Sequence, residues 1–214
     1  MKNLQLENRH IAQILSDISN LIDDRNNQDI LQKISFKEED KNICGIYPCD
    51  LEYLDKAITV PENYNFPLDW YGFEFKYYNK ELDKDVVKHI FNESMKLQEY
   101  LGLRTNTLKM YYPPGGYIGW HHNGNAPGQN ILFTYSATGD GSFKYYDYDS
   151  AQIISVPDKK GWSVKAGYYP KYNNSSDKVF WHCAETNCPR ITVAFIIDNQ
   201  ILWNDVIDEI EGED

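Results

Sequence analysis

Between residues 107 and 197 the chain carries eight short runs rich in β-branched and aromatic residues: TLKMYY, YIGWHH, NILFTYS, SFKYYDY, AQIISV, GWSVKAGYY, KVFWHC and RITVAFII. Turn signals interrupt them, namely PPGG, GNAPG, TGDG, PDKKG and NNSSD. Glycine, proline, asparagine and aspartate at such points favour tight reversals over helical continuation. No helical period lies between the runs, so βαβ units are excluded and an all-β sandwich or barrel is predicted.

Eight strands fit a double-sheet jelly roll, also called a double-stranded β-helix. The preceding residues read differently. Ile11, Ile14, Leu15, Ile18, Leu21 and Ile22 recur at three- and four-residue spacing, which is one apolar face of a helix over 8–24. A second amphipathic helix is predicted from Asn79 through Leu82, Val86, Val87, Ile90, Phe91 and Met95, stopping near Gly102. Residues 26–70 read as irregular, broken by Pro48, Pro61 and Pro67, and GFEFKYY (72–78) reads as a strand. The expectation is therefore an α+β chain, an all-β core with N-terminal helices packed on one face. It divides into a support region 1–104, a jelly-roll core 105–198 and an acidic tail 199–214, in one compact domain.

The net charge of −11 is unevenly spread. Residues 1–100 hold 19 acidic and 12 basic side chains, and residues 205–214 hold six acidic and none basic. Residues 101–204 hold seven acidic and nine basic, a net of +2. Acidity thus sits outside the β region, and no Lys/Arg stripe indicates nucleic acid. No apolar run is long enough to span a bilayer and the first residues lack the apolar centre of a signal peptide, so a cytoplasmic location is expected. Cys44/Cys49 and Cys183/Cys188 are then expected as reduced thiols, spaced too loosely for a zinc knuckle.

Within the β region four features follow in order: YYPPGG (111–116), His121-x-Asn123, His182 in VFWHC, and Arg190-Ile191-Thr192. Two histidines on separate strands can converge on a metal, and imidazole suits Fe, Zn, Cu or Ni. Arg190 and Thr192 are two apart on a strand and point to one face, where a guanidinium and a hydroxyl make a carboxylate receptor. His122 is expected to point away from the metal, by strand alternation. Each histidine also has a structural reading, packed among Trp120, Phe180 and Trp181.

Over residues 105–198 the chain resembles the Fe(II)/2-oxoglutarate-dependent oxygenases of the prolyl-hydroxylase-like branch, including the small members encoded by tailed phages, for which the compartment would be the host cytoplasm. The matching positions are Tyr112-Pro-Pro-Gly115, His121, His182, Arg190 and Thr192. The resemblance implies Fe(II) on His121, Asn123 and His182, with 2-oxoglutarate held by Arg190, Thr192, Tyr112 and Tyr135. It also implies O2 as oxidant, hydroxylation as the outcome, and succinate and CO2 as co-products. The primary substrate, whether peptide side chain, amino acid or nucleobase, is not legible.

Asn123 departs from the family pattern, which has a carboxylate there. Halogenating relatives carry Ala or Gly at this place and leave room for halide, whereas Asn123 fills it. Relatives of the aspartyl-hydroxylase type work with two histidines and water. Asn123-Gly124 is also prone to deamidation, which would create H-x-D unless the backbone is rigid. Two rival functions follow: a non-catalytic binding module that lost metal through Asn123, and a cupin-like metal protein that does not use 2-oxoglutarate.

Overall fold

The computed structural model describes residues 1–38, 45–76, 84–103, 106–174, 178–197 and 199–212. Eight antiparallel strands form the core: β4 (Asn106–Tyr112), β5 (Tyr117–His121), β6 (Gly128–Ser136), β7 (Gly141–Asp147), β8 (Gln152–Pro157), β9 (Gly161–Tyr169), β10 (His182–Thr186) and β11 (Arg190–Ile197). They interleave as β9-β6-β11-β4 in one sheet and β5-β10-β7-β8 in the other. That strand order is the jelly roll: apart from the β7–β8 hairpin, consecutive strands alternate between sheets, so that distant segments become neighbours.

Three short strands extend it. β1 (Lys2–Leu4) pairs with β9, β2 (Phe36–Glu38) with β3, and β3 (Trp70–Glu74) with both β4 and β5. β3 thereby joins the two sheets at one edge, which disposes of two unpaired strand edges at once.

Alternation along each strand sorts the core. On β11, Ile191, Val193, Phe195 and Ile197 face outward into apolar clusters, while Arg190, Thr192, Ala194 and Ile196 line the interior. The outward face is covered by α1 (Arg9–Asp23), α4 (Asp85–Tyr100) and α5 (Gln200–Glu211), with Ile11, Leu15, Leu97, Val206 and Ile210 fully or almost fully buried. Asn8 caps α1, its side chain accepting the Ile11 amide at 2.9 Å.

Several elements depart from the sequence reading. The acidic segment after 199 is a helix with a buried face, because Val206 and Ile210 sit one turn apart beneath it. The described residues of 26–70 are not irregular throughout. They hold α2 (Arg25–Ile34), α3 (Leu51–Thr59) and a single 3-10 turn (Pro61–Tyr64). α2 starts on Asp24, which accepts the Asn26 and Asn27 amides, and it buries only Leu31, in a segment that is mostly polar and so carries few apolar positions to read. α3 seals the outer face of the β5/β10 sheet, packing Tyr53, Leu54 and Ala57 near Trp120 and Trp181. β10 begins at His182, not at Lys178, because the backbone bends tightly before it, the Trp181 amide donating to the Val179 carbonyl at 3.1 Å. The predicted cap at Asn79 and the thiol of Cys44 lie outside the described residues. Cys49, Cys183 and Cys188 are buried free thiols. Among the described residues no helix is long and apolar enough to cross a membrane.

Candidate metal centre

β5 ends at His121, β10 begins at His182, and the antiparallel register sets the two directly opposite each other. Their ring centroids lie 4.2 Å apart, tilted by 52°. Each ring is oriented by its own backbone. His121 Nδ1 is 2.7 Å from the Gly119 carbonyl and His182 Nδ1 is 2.8 Å from the Phe180 carbonyl. A carbonyl only accepts, so both Nδ1 atoms carry the proton and both Nε2 atoms keep a lone pair.

Burial, with His182 adding to it, holds His121 well below the usual histidine range. Burial pushes His182 down to about 4. Both imidazoles are neutral at physiological pH. Two neutral, pre-oriented imidazoles with bare Nε2 atoms fit a first-row divalent metal.

Asn123 is the third side chain at the pair. It lies past the end of β5 in left-handed backbone, φ 51°, and its amide nitrogen is 3.5 Å from His182 Nε2. Rotating the amide would present its oxygen to the same point. Among the described residues no group of three or more His, Cys, Asp or Glu side chains could hold a metal. The centre is therefore two histidines and a carboxamide.

His122 is directed away from this point. Its Nε2 lies 2.9 Å from the Pro61 carbonyl, its Nδ1 accepts the Gly124 amide at 3.0 Å, and its ring packs on Tyr172 and Trp181. The same contact engages the Gly124 nitrogen that deamidation of Asn123 would need as nucleophile, and the Gly124 carbonyl in turn accepts the Tyr172 amide at 2.9 Å. The turn is held from both sides, which disfavours attack of that nitrogen on the Asn123 carboxamide.

Facing the histidines, β11 and β4 from the other sheet supply the receptor. Arg190 is buried and its Nη1 donates to Thr192 Oγ1 at 2.8 Å. Tyr112, the cross-strand partner of Arg190, lays its ring 5.4 Å from the guanidinium carbon. The turn that delivers Tyr112 is the PPGG segment, with Gly115 at φ 78° and the Gly116 amide donating to the Pro113 carbonyl. His121, Asn123, His182, Tyr112, Arg190 and Thr192 all line one cavity of about 460 Å³.

Tyr135 does not join them. It pairs with Ile191, so it projects from the opposite face of β6, donating to Asp23 on α1 at 2.5 Å and packing on Trp162. Its assignment to 2-oxoglutarate is corrected on that ground: the even-numbered residues of β6 face the cavity and the odd ones the helices.

Tyr169 belongs to a set of tyrosines (Tyr145, Tyr146, Tyr148, Tyr168, Tyr169 and Tyr172) that read from sequence either as cleft-lining or, more commonly, as strand formers. It stands at the site, along with residues not assigned there by sequence. Tyr169 lines the cavity with its ring 4.9 Å from His182, and its buried hydroxyl has no hydrogen-bond partner among the described residues. Burial raises its pKa, so it is a neutral donor. The same lack of a partner holds for the Thr134 hydroxyl, across the ladder from Thr192. Behind Arg190 lie Asp158 and Lys165. Alternation in GWSVKAGYY was the available signal: Trp162, Val164 and Ala166 form one apolar face, which leaves Ser163, Lys165 and Tyr169 on the other.

No family model matches the chain, and no curated protein matches it. Similarity to solved structures is slight. A Pseudomonas putida prolyl-4-hydroxylase is 10% identical, with 90% of each chain covered and a TM-score of 0.41. An oxidoreductase of the 2OG-Fe(II) oxygenase family from Burkholderia pseudomallei is 9% identical, covering 93% of this chain and 98% of that one, with a TM-score of 0.38. Peruvianin-I, a cysteine peptidase from Thevetia peruviana latex, is 14% identical over 43% of this chain, with a TM-score of 0.29, and the chain spans only 50% of its length. The class defined by strand order and cavity is a jelly-roll protein in which a histidine pair shares one cavity with a buried, ion-paired arginine.

Proposed function

We propose that the chain is an Fe(II)/2-oxoglutarate-dependent dioxygenase that hydroxylates a peptide side chain, an amino acid or another small substrate. One observation carries the reading: a pre-oriented pair of neutral histidines shares one cavity with a buried arginine and threonine. A metal site alone needs no buried guanidinium, and a bland core would not bury one facing a cavity. The cupin-like alternative leaves Arg190 with only its ion pair to Asp158 and gives its place on the cavity wall no use.

When bound, iron supplies O2 activation coupled to decarboxylation of 2-oxoglutarate, giving succinate, CO2 and one oxygen atom for the substrate. The chain's own part is positional. His121 and His182 would hold the metal through Nε2. Arg190 and Thr192 grip the far carboxylate, and Tyr112 supports the guanidinium from below. Met110, Leu132 and Ala194 line the intervening wall and keep water from the co-substrate chain. Phe66, 60% exposed, and Trp70 stand at the mouth, where the primary substrate enters.

Anaerobic addition of Fe(II) and 2-oxoglutarate should give the weak visible charge-transfer band of a chelated complex, and admitting air should release succinate. Absence of both the band and succinate overturns the reading.

The carboxamide makes a second expectation. Aspartate tolerates left-handed backbone as asparagine does, so Asn123→Asp keeps the turn. It adds an anionic oxygen to a low-dielectric site, and Fe(II) affinity should rise on the order of tenfold or more. Metal titration by calorimetry checks this. No gain would mean that position 123 does not face the metal, and that the histidine pair works with water alone.

A further inference from the structure

The end of the cavity that holds Arg190 rests on a buried charge cluster. Asp158, in the turn after β8, accepts from Arg190 Nε through Oδ2 at 2.8 Å. Its other oxygen lies 3.5 Å from Lys165 Nζ on β9, and that amine is 3.4 Å from Ser163 Oγ. The side chains of Asp158, Lys165 and Arg190 are each 3% exposed or less. Two buried basic side chains thus share one buried carboxylate. Burial lowers the Lys165 pKa while Asp158 opposes that, and with both bases protonated the trio carries a net charge of +1. Beside it stands the unpartnered Thr134 hydroxyl.

Both features cost folding free energy in a low-dielectric interior. The excess positive charge is relieved by entry of an anionic group with oxygen acceptors into the cavity that Arg190 lines. The share of each cation in Asp158 then matters. With Asp158 and Arg190 alone the pair would be neutral and would offer an incoming carboxylate no net attraction. Lys165 alters this from behind, since it competes for the carboxylate without lining the cavity.

We propose that Lys165 is a positioning residue that sets the charge of the carboxylate receptor: by sharing Asp158 it leaves Arg190 with the unbalanced positive charge that selects an oxo acid bearing a second carboxylate. The inference rests on the 2-oxoglutarate reading above and assigns that selectivity to a residue outside the Arg190/Thr192 pair. Lys165→Met removes the charge and keeps most of the packing volume. Lys165→Arg keeps the charge. Asp158→Asn raises the charge of the trio.

The test uses full-length protein loaded with Fe(II) under anaerobic conditions, titrated calorimetrically with two probes. One is 2-oxoglutarate and the other is 2-oxopentanoate, which has the same carbon chain without the far carboxylate. Wild type should prefer 2-oxoglutarate. Lys165→Met should cut that preference by about tenfold or more, with 2-oxopentanoate affinity unchanged, and Lys165→Arg should restore it. Asp158→Asn should keep or enlarge the preference, which gives a second reading should the methionine variant fold poorly. A merely structural role would weaken both probes together, and that result overturns the proposal, as does a preference that survives in Lys165→Met. A wild-type protein with no preference between the probes overturns the co-substrate reading itself, and this inference falls with it.

Discussion

His182→Ala should abolish Fe(II) binding, while His122→Ala should retain it at the cost of stability. The two residues are both buried histidines in aromatic surroundings, so burial does not separate them. Their nitrogens do. His182 uses Nδ1 on a carbonyl and presents Nε2 at His121 and Asn123. His122 spends both nitrogens inside the protein, on Pro61 and Gly124. Removing it leaves the Pro61 carbonyl and the Gly124 amide without partners and opens a void against Trp181, a loss of about 3 kcal/mol. Metal retained after dialysis, together with urea unfolding of each metal-free variant, distinguishes the two effects. His182→Gln, which fills the volume with a polar group, checks that lost metal is not lost fold. Equal loss of iron in His122→Ala and His182→Ala would show that the metal sits elsewhere.

Arg190→Leu should weaken 2-oxoglutarate binding by on the order of 2–5 kcal/mol and leave Fe(II) binding in place. The guanidinium is the cavity's fixed cation at the receptor end, and its loss also strands Asp158 with Lys165 as the remaining cationic partner among the contacts described. Desolvation has already been met in folding, so the attraction is felt at low dielectric and the loss is large. Arg190→Lys keeps the charge and loses the planar fork that reaches Asp158 and Thr192 together, so it should fall between wild type and Arg190→Leu. Calorimetric titration of the iron-loaded protein without oxygen reads the affinity. An affinity unchanged in Arg190→Leu would remove this residue from the receptor.

The chain's own residues determined a good deal without tertiary context. Turn residues at short intervals forced strands, and the regular apolar spacing of 8–24 forced α1 behind its Asn8 cap. The order of His121, His182, Arg190 and Thr192 along the β region marked the candidate site, because jelly-roll winding converts that order into proximity. What alternation could not decide was which face of a strand is the cavity, since helices bury the outer face as fully as the cavity buries the inner one. Tyr135 and Tyr169 are equally plausible on strand chemistry alone. Only the pairing of Tyr135 with Ile191, and the reach of Tyr169 to His182, puts the first beneath α1 and the second in the site. Lys165 and Asp158 were hidden for a related reason: a lysine on a strand and an aspartate in PDKKG both read as solvated charge. They become an interior cluster only when β9 and the turn after β8 close over Arg190, a contact between segments up to 32 residues apart that no local pattern encodes.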